Sequence, residues 1–279
     1  MKYKLLLALL VIFSFNTRAE IIFQSNFDSD PDSFTGSTVP SGWEGWYTAQ
    51  ITDTCSAGSH YTGEVFGPGR GGSGKALYQF KCETASSGYA GALQSPTIST
   101  SVTNFYVRWT MLLPTAITAD YSASSGNYQK LFRFTTTHNE IYVDLIAGTP
   151  FSFPGGASMH VIDTVIAGNV TVVPQAKMST LFDGAWHTYE INFNTASGTI
   201  TSWVDGVQQY TGSFGYPSET ITAIAHFGMG NRSADVVHQS SWVGWGFDDF
   251  MVADAYIGPP GGDPPVEPAA AVLTPFRIQ

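Results

Sequence analysis

From residue 76 onward, apolar and polar positions alternate in short runs, the two-residue period of half-buried strands. The clearest run is Trp186–Gln209, WHTYEINFNTASGTITSWVDGVQQ. His187, Tyr189, Ile191 and Phe193 share one face of its first strand; Trp186, Thr188, Glu190 and Asn192 share the other. A polar loop, Asn194 to Gly198, ends in a glycine suited to positive φ. Thr199 to Val204, β-branched or aromatic at almost every position, returns as the second strand and closes at Asp205-Gly206.

The same reading predicts strands at Glu20–Phe27, Ala76–Cys82, Asn104–Leu113, Tyr128–Thr135, Glu140–Ala147, Met159–Val165, Asn169–Val173, Ile221–Met229 and Gly246–Ile257. In Asn104–Leu113, Tyr106, Arg108 and Thr110 oppose Val107, Trp109 and Met111. Tyr128–Thr135 alternates less cleanly, with Gln129, Leu131 and Arg133 on one face and Tyr128, Lys130, Phe132 and Phe134 on the other. In Glu140–Ala147, Glu140, Tyr142 and Asp144 oppose Ile141, Val143 and Leu145. Gly58–Lys75 reads as a long glycine-rich loop, and GRGGSGK within it has no strand–loop–helix context for a phosphate loop. No amphipathic helix and no fixed-period repeat appears. The pattern is that of one all-β domain over residues 20–258.

The ends change the picture. Lys2 and Lys4 precede the apolar run Leu5–Phe15, and Thr17-Arg18-Ala19 offers a cleavage point before Glu20, so residues 1–19 read as a signal peptide and the protein as secreted. No later segment is long enough to insert in a membrane. Residues 259–279 begin with the Pro/Gly-rich stretch PPGGDPPVEP and read as a linker or disordered tail. Without Lys2, Lys4 and Arg18, nine of the 12 basic residues remain against 22 acids, moving the formal charge from −10 to −13. Such a surface repels nucleic acid and anionic lipid, but a local basic cleft still admits an anionic polysaccharide. Cys55 and Cys82, both in the exported part, are expected to pair, stabilising by about 3.5 kcal/mol on a chain-entropy model. Nothing in the pattern bears on oligomeric state.

Asp28-Ser-Asp-Pro-Asp32 sets three carboxylates close together, either a solvated turn or part of a calcium site. Trp43, Trp46 and Tyr47 suit either sugar stacking or plugging the end of a sandwich.

Three stretches taken together, YVRWTMLL with YQKLFRF, DGAWHTYEINFNTASGTITSWVDG and GFDDFMVADAYIGP, resemble the concanavalin A-like lectin/glucanase superfamily. The resemblance is strongest from residue 104 and lies nearest the secreted bacterial branch that includes jelly-roll polysaccharide lyases. It implies a two-sheet antiparallel β-jelly roll with a carbohydrate site on the concave sheet. It also implies a structural calcium ion held by an acid near the first strand, where Asp28 stands, and one in the last, where Asp248 and Asp249 stand.

For β-elimination on a uronic acid, one group neutralises the carboxylate, one removes the C5 proton and one protonates the leaving oxygen. By resemblance to jelly-roll alginate lyases, Arg108, Gln129 and Lys130 would neutralise or bind the uronate, with Tyr142 or His226 as base. Arg133, His160, Trp203, Asn231 and Trp242 would contact the polymer. The motifs RxELR, QIH and YFKAGxYNQ are absent. Arg108, Lys130 and Arg133, three of the few cations, fall on strands expected to be neighbours, which fits an anion-binding cleft. The competing reading for both arginines is an ion pair with Glu140 or Asp144. Glu140 and Asp144 at i, i+4 only distantly echo the E-x-D-x-x-E strand of a jelly-roll glycosidase. A lectin-like or adhesion module needs no catalytic group at all.

Overall fold

A computed structural model describes residues 19–30, 40–46, 52–55, 58–61, 64–81, 92–98, 102–113, 128–137, 140–147, 157–163, 169–214, 219–227 and 243–260. Its strands are β1 (Ile21–Ser25), β2 (Gly45–Trp46), β3 (Thr52–Cys55), β4 (Gly58–Tyr61), β5 (Glu64–Phe66), β6 (Ala76–Lys81), β7 (Ala92–Gln94), β8 (Asn104–Leu112), β9 (Tyr128–Thr136) and β10 (Glu140–Ala147). They continue as β11 (Ala157–Asp163), β12 (Asn169–Val173), β13 (Trp186–Asn194), β14 (Thr199–Val204), β15 (Val207–Ser213), β16 (Ile221–Phe227) and β17 (Val243–Ala253). Helix is confined to single turns at Arg70–Gly72, Gln175–Met178 and Ser179–Leu181. The stretch Gly58–Lys75, expected as loop, therefore contributes two short strands and a turn. The disulfide expectation falls outside the described residues, because Cys82 and the Cys55 side chain lie beyond them.

Two large antiparallel sheets form, beside a separate two-stranded β3-β4 sheet. The first runs β15-β14-β13-β8-β17-β6-β5, with β1 also on β17; the second runs β12-β11-β10-β9-β16-β7-β2. Sequence neighbours pair locally within β9–β12 and β13–β15, while β8 and β17 meet across most of the chain. The architecture is the two-sheet antiparallel jelly roll that the superfamily resemblance implies, built from the all-β pattern of the sequence.

An aromatic seam joins the layers. Trp109 of β8 stacks on Tyr189 of β13, with ring centroids 5.5 Å apart, and meets Phe132 of β9 at 4.9 Å. Phe193 stacks on Phe105 at 5.2 Å and reaches Phe134 of β9 at 5.5 Å. All six rings are essentially inaccessible to solvent. Truncating any one removes roughly 3–5 kcal/mol of burial and packing. The hairpin faces fall as the pattern predicts, with Tyr189, Ile191 and Phe193 inward. The opposite face of β13 is buried as well: the Ile257 and Gly258 amides donate to the Glu190 carboxylate at 2.8 and 2.9 Å, laying the C-terminal segment over it.

Three expectations are corrected. First, β8 and β9 are not neighbours: they lie in opposite sheets, so Arg108 does not share a cleft with Lys130 and Arg133. Second, the faces assigned along β9, whose alternation is already imperfect in the sequence, change at Leu131 and Lys130. Val143 pairs with Phe132 and Asp144 with Lys130, leaving Leu131 as an extra residue, a β-bulge. Leu131, Phe132 and Phe134 are all buried in the core, and the bulge returns Lys130 to the outer face that Arg133 occupies. Third, His226 is no surface base. It pairs with Phe132 and packs on Phe132 and Phe247 in the interlayer core, 2% exposed, with Nε2 unpartnered.

Burial pushes His226 down to about 3. The unfolded chain thus binds a proton that the folded chain refuses between about pH 6.5 and 3, so folded-state stability is lost as pH falls through that window. His226→Leu is expected to match the wild type within ~1–2 kcal/mol at pH 7 in urea unfolding and to exceed it by ~2 kcal/mol or more at pH 4. Parallel loss of stability in both proteins would contradict this placement.

Candidate functional site

The outer face of the second sheet gathers the polar residues of β9, β10 and β11. Tyr142 is central. Its ring lies on Ala225 of β16 and Ile162 of β11, with the Lys130 ammonium 3.8 Å from the ring centroid. The small Ala225, opposite Arg133 across the β9–β16 ladder, leaves room for these longer chains. The Tyr142 hydroxyl donates to Glu140 Oε2 at 2.7 Å, and Arg133 Nη1 meets Glu140 Oε1 at 3.2 Å. Lys130, Tyr142, Glu140 and Arg133 thus form one continuous chain of contacts. The ion pair foreseen for Arg133 with Glu140 is present, and the Glu140 side chain is 40% exposed at its outer end.

On β10, Asp144 stands opposite Lys130 of β9 on one side and His160 of β11 on the other. His160 Nδ1 faces Asn169 Oδ1 at 2.6 Å, and Nε2 faces the Ser158 hydroxyl at 2.7 Å. Asn169 Oδ1, so assigned, only accepts, so Nδ1 carries the proton and Nε2 keeps its lone pair. Burial lowers the His160 pKa, so the ring is neutral at pH 7. Burial and the hydrogen bond to Glu140 push the Tyr142 phenol up to about 12, so it holds its proton. The face therefore offers two cations partly offset by carboxylates, a neutral imidazole whose Nε2 lone pair accepts from the Ser158 hydroxyl, and a protonated phenol.

Not every candidate arrives here. Gln129 lies on β9, but its side chain is outside the described residues, as are Asn231 and Trp242 entirely. Arg108 and Trp203 occupy the outer face of the first sheet. Arg108 stands opposite Glu190, 7% exposed, with Nη1 donating to Gly258 O at 3.0 Å. Trp203 is half-buried against Tyr106 and Tyr256. Glu140, Asp144, Ser158 and Asn169 were not singled out as site residues by sequence. The two-residue period puts the first two beside Tyr142, but only the strand pairing brings Asn169 to His160.

The acids expected to bind metal collect at the rim of the first sheet. A bulge in β17 between Asp248 and Met251 breaks alternation, so Asp248 and Asp249 both meet the 67–75 loop instead of pointing apart. Asp248 Oδ2 accepts the Arg70 amide at 3.0 Å, and Asp249 Oδ2 pairs with Arg70 Nε at 2.5 Å. Asp28 Oδ1 accepts the Lys75 amide at 2.8 Å. A Cβ on Gly74 would lie 2.1 Å from Asp28 Oδ1, and one on Gly69 would lie 3.0 Å from Asp248 Oδ2, so the loop passes against both acids only because it is glycine there. The hard oxygen donors of Asp28 and Asp248 suit calcium, although no group of three acids or histidines poised for a metal occurs among the described residues. Among them, too, no helix is long and apolar enough to cross a membrane.

No family model and no curated protein matches this chain. Among solved structures it is similar to the alginate lyase Aly36B, with 10% identity and a TM-score of 0.46 over 82% of this chain and 95% of that one. It is similar to domain 4 of AbnA, a GH43 extracellular arabinanase from Geobacillus stearothermophilus, with 12% identity and a TM-score of 0.42 over 84% and 92%. It is also similar to the alginate lyase vAL-1 from Chlorella virus, with 10% identity and a TM-score of 0.45 over 68% and 88%. These likenesses concern overall shape, and no residue role is carried across from them.

Burial, with the charges of Asp249 and Asp28, raises Asp248 to about 7. The folded chain therefore holds a proton between about pH 4 and 7 that the unfolded chain has released, and stability falls as pH rises through that range. In chemical denaturation without divalent cations, Asp248→Asn is expected to gain ~2 kcal/mol on the wild type between pH 4 and pH 8. A pH-independent difference would show that Asp248 is not held in this way.

Proposed function

We propose that this secreted protein engages an acidic polysaccharide across the outer face of β9, β10 and β11. The observation that carries the reading is the β9 bulge, which sets Lys130 and Arg133 on the face that also bears Tyr142 and His160. Cationic side chains beside an aromatic ring on the outer face of a sheet suit a polymer of charged sugar rings, with Lys130 and Arg133 exchanging protein carboxylates for substrate ones. Binding of this kind weakens with salt.

A second reading, β-elimination on a uronate, is favoured by the complementary protonation states of His160 and Tyr142. His160 Nε2, once the Ser158 hydroxyl turns away from it, would take the C5 proton, the C4–oxygen bond would break as the double bond forms, and the Tyr142 hydroxyl would protonate the leaving oxygen. The two residues are diagonal across the β10–β11 ladder, within reach of one sugar ring. Lys130 or Arg133 would neutralise the uronate carboxylate. Arg108, on the other sheet, takes no part.

A calcium ion on Asp28 and Asp248 would have a structural role, fixing the 67–75 loop and offsetting the charge that burial makes unfavourable.

Affinity electrophoresis through gels containing alginate or glucuronan, with dextran as the neutral control, tests the binding. Retardation in the acidic gels alone is expected, with the Lys130→Ala, Arg133→Ala double variant losing at least fivefold in affinity, about 1 kcal/mol. Retardation unaffected by the double variant would overturn the reading. Absorbance near 235 nm tests elimination: a rise lost in both His160→Ala and Tyr142→Phe supports it, and a flat trace with retained binding leaves binding alone. Calcium is expected to raise the Tm of the wild type over EDTA and to leave that of Asp248→Asn unchanged; equal shifts would exclude this site.

A further inference from the structure

Glu140 sits in a small cradle on the outer face of the second sheet. Its two carboxylate oxygens are held by different donors. Arg133 Nη1 meets Oε1 at 3.2 Å, and the Tyr142 hydroxyl donates to Oε2 at 2.7 Å. The strands set this geometry. Glu140 and Tyr142 are two apart on β10 and share a face. Tyr142 stands directly opposite Arg133 of β9, and Glu140 opposite Thr135, so Arg133 is the diagonal neighbour of Glu140. A cation and a hydroxyl thus converge on the two oxygens of one carboxylate. The carboxylate of a uronate presents the same pair of acceptors.

The two carboxylates of β10 differ in their freedom to leave. Asp144 is 1% exposed and held within the face. The Glu140 side chain is 40% exposed, against 16% for that of Arg133, so Glu140 is the solvent-facing member of its ion pair. Ion pairs this exposed are weak, and turning the Glu140 side chain out into water breaks only contacts that an arriving carboxylate restores.

We propose, on the reading of this face as an acidic-polysaccharide site, that Glu140 is a built-in competitor for the ligand carboxylate, a gate that polymer segments open and single uronates do not. A carboxylate that displaces Glu140 exchanges one set of contacts for an equal set and gains little from the exchange. Glu140 is also tethered, and a short flexible tether gives an effective concentration of roughly millimolar. The resulting penalty is the same for every carboxylate that enters the cradle. A single uronate has only the cradle with which to offset it. A chain segment has more: the Lys130 ammonium lies 3.8 Å from the centroid of the same Tyr142 ring, so one carboxylate in the cradle brings another within reach of Lys130. That second contact is made without a further loss of translational freedom. A neutral sugar offers Arg133 no charge and leaves Glu140 in place. Selectivity on this face therefore comes from a repulsive element as well as from the two cations.

Glu140→Gln tests this. The amide keeps the shape of the side chain, but its nitrogen only donates, so it cannot hold both arms of the cradle. The first readout needs no ligand. Burial and the hydrogen bond to Glu140 hold the Tyr142 phenol at about 12, and in Glu140→Gln its carbon NMR signal is expected to titrate at lower pH. The second is NMR titration with sodium glucuronate and with a purified tetra-uronate. Wild type is expected to bind the tetra-uronate more tightly than glucuronate. Both ligands are expected to bind Glu140→Gln roughly fivefold or more tightly than wild type, a gain that disappears when Arg133→Ala is added. Glu140→Ala, which removes both acceptors, is expected to give the same two changes. A Tyr142 titration unmoved in both variants overturns the proposal. So does tetra-uronate binding by wild type that is no tighter in Glu140→Gln, or a gain that survives Arg133→Ala, which would reflect the general field of the face. Absence of tetra-uronate binding by wild type and variants alike overturns the polysaccharide reading of the face, and the gate with it.

Discussion

Trp109 packs against Tyr189 within its own sheet and Phe132 across the core, and the outer surface of the second sheet depends on that contact. Phe132 and Phe134 must face Trp109 and Phe193 to bury their rings. A strand has only two faces, so fixing these rings inward fixes Arg133 outward. The extra residue Leu131 then turns one more apolar side chain into the core and lets Lys130 emerge beside Arg133. Without the bulge, Lys130 would point at the aromatic seam, where an unpaired ammonium is strongly disfavoured. The core thus decides the chemistry of the surface.

The first sheet manages charge differently. Its outer face carries Glu190 and Arg108, both buried beneath the C-terminal segment, and burial raises the Glu190 carboxyl to about 7 even though the Ile257 and Gly258 amides and Arg108 favour its charge. At the rim, Asp28 and Asp248 crowd against a glycine-lined loop and Asp249 takes the Arg70 guanidinium. The two outer faces are therefore unlike. One carries a half-buried row of cations, phenol and imidazole; the other is a polar layer covered by the C-terminal segment.

The fold was legible in the sequence because alternation is local. The hairpin at Trp186–Val204 and the Glu140–Ala147 strand appear at or within a residue of their expected bounds. The site was legible only in part. Lys130, Arg133, Tyr142 and His160 were named from residue type and order, and the pairing of β9, β10 and β11 unites them. Arg108 was misplaced because which sheet a strand joins is set by long-range pairing, which alternation does not encode. The two bulges were missed because one inserted residue shifts the face of everything before it while leaving composition unchanged; alternation alone put Lys130 on the face of Phe132 and Phe134 and parted Asp248 from Asp249. His226 follows a stretch that reads as an ordinary strand, and only the pairing with Phe132 reveals its burial. Strands β3, β4 and β5 were hidden by the glycines around them.

The central claim is that ligand recognition lies on the outer face of β9–β11, and a backbone amide NMR titration with a purified tetra-uronate tests it most directly. The account predicts shift changes concentrated at residues 130–133, 140–144 and 158–162, saturating together. Changes confined to the first sheet, around Tyr106, Trp203 and Tyr256, with the β9–β11 amides unmoved, would contradict it.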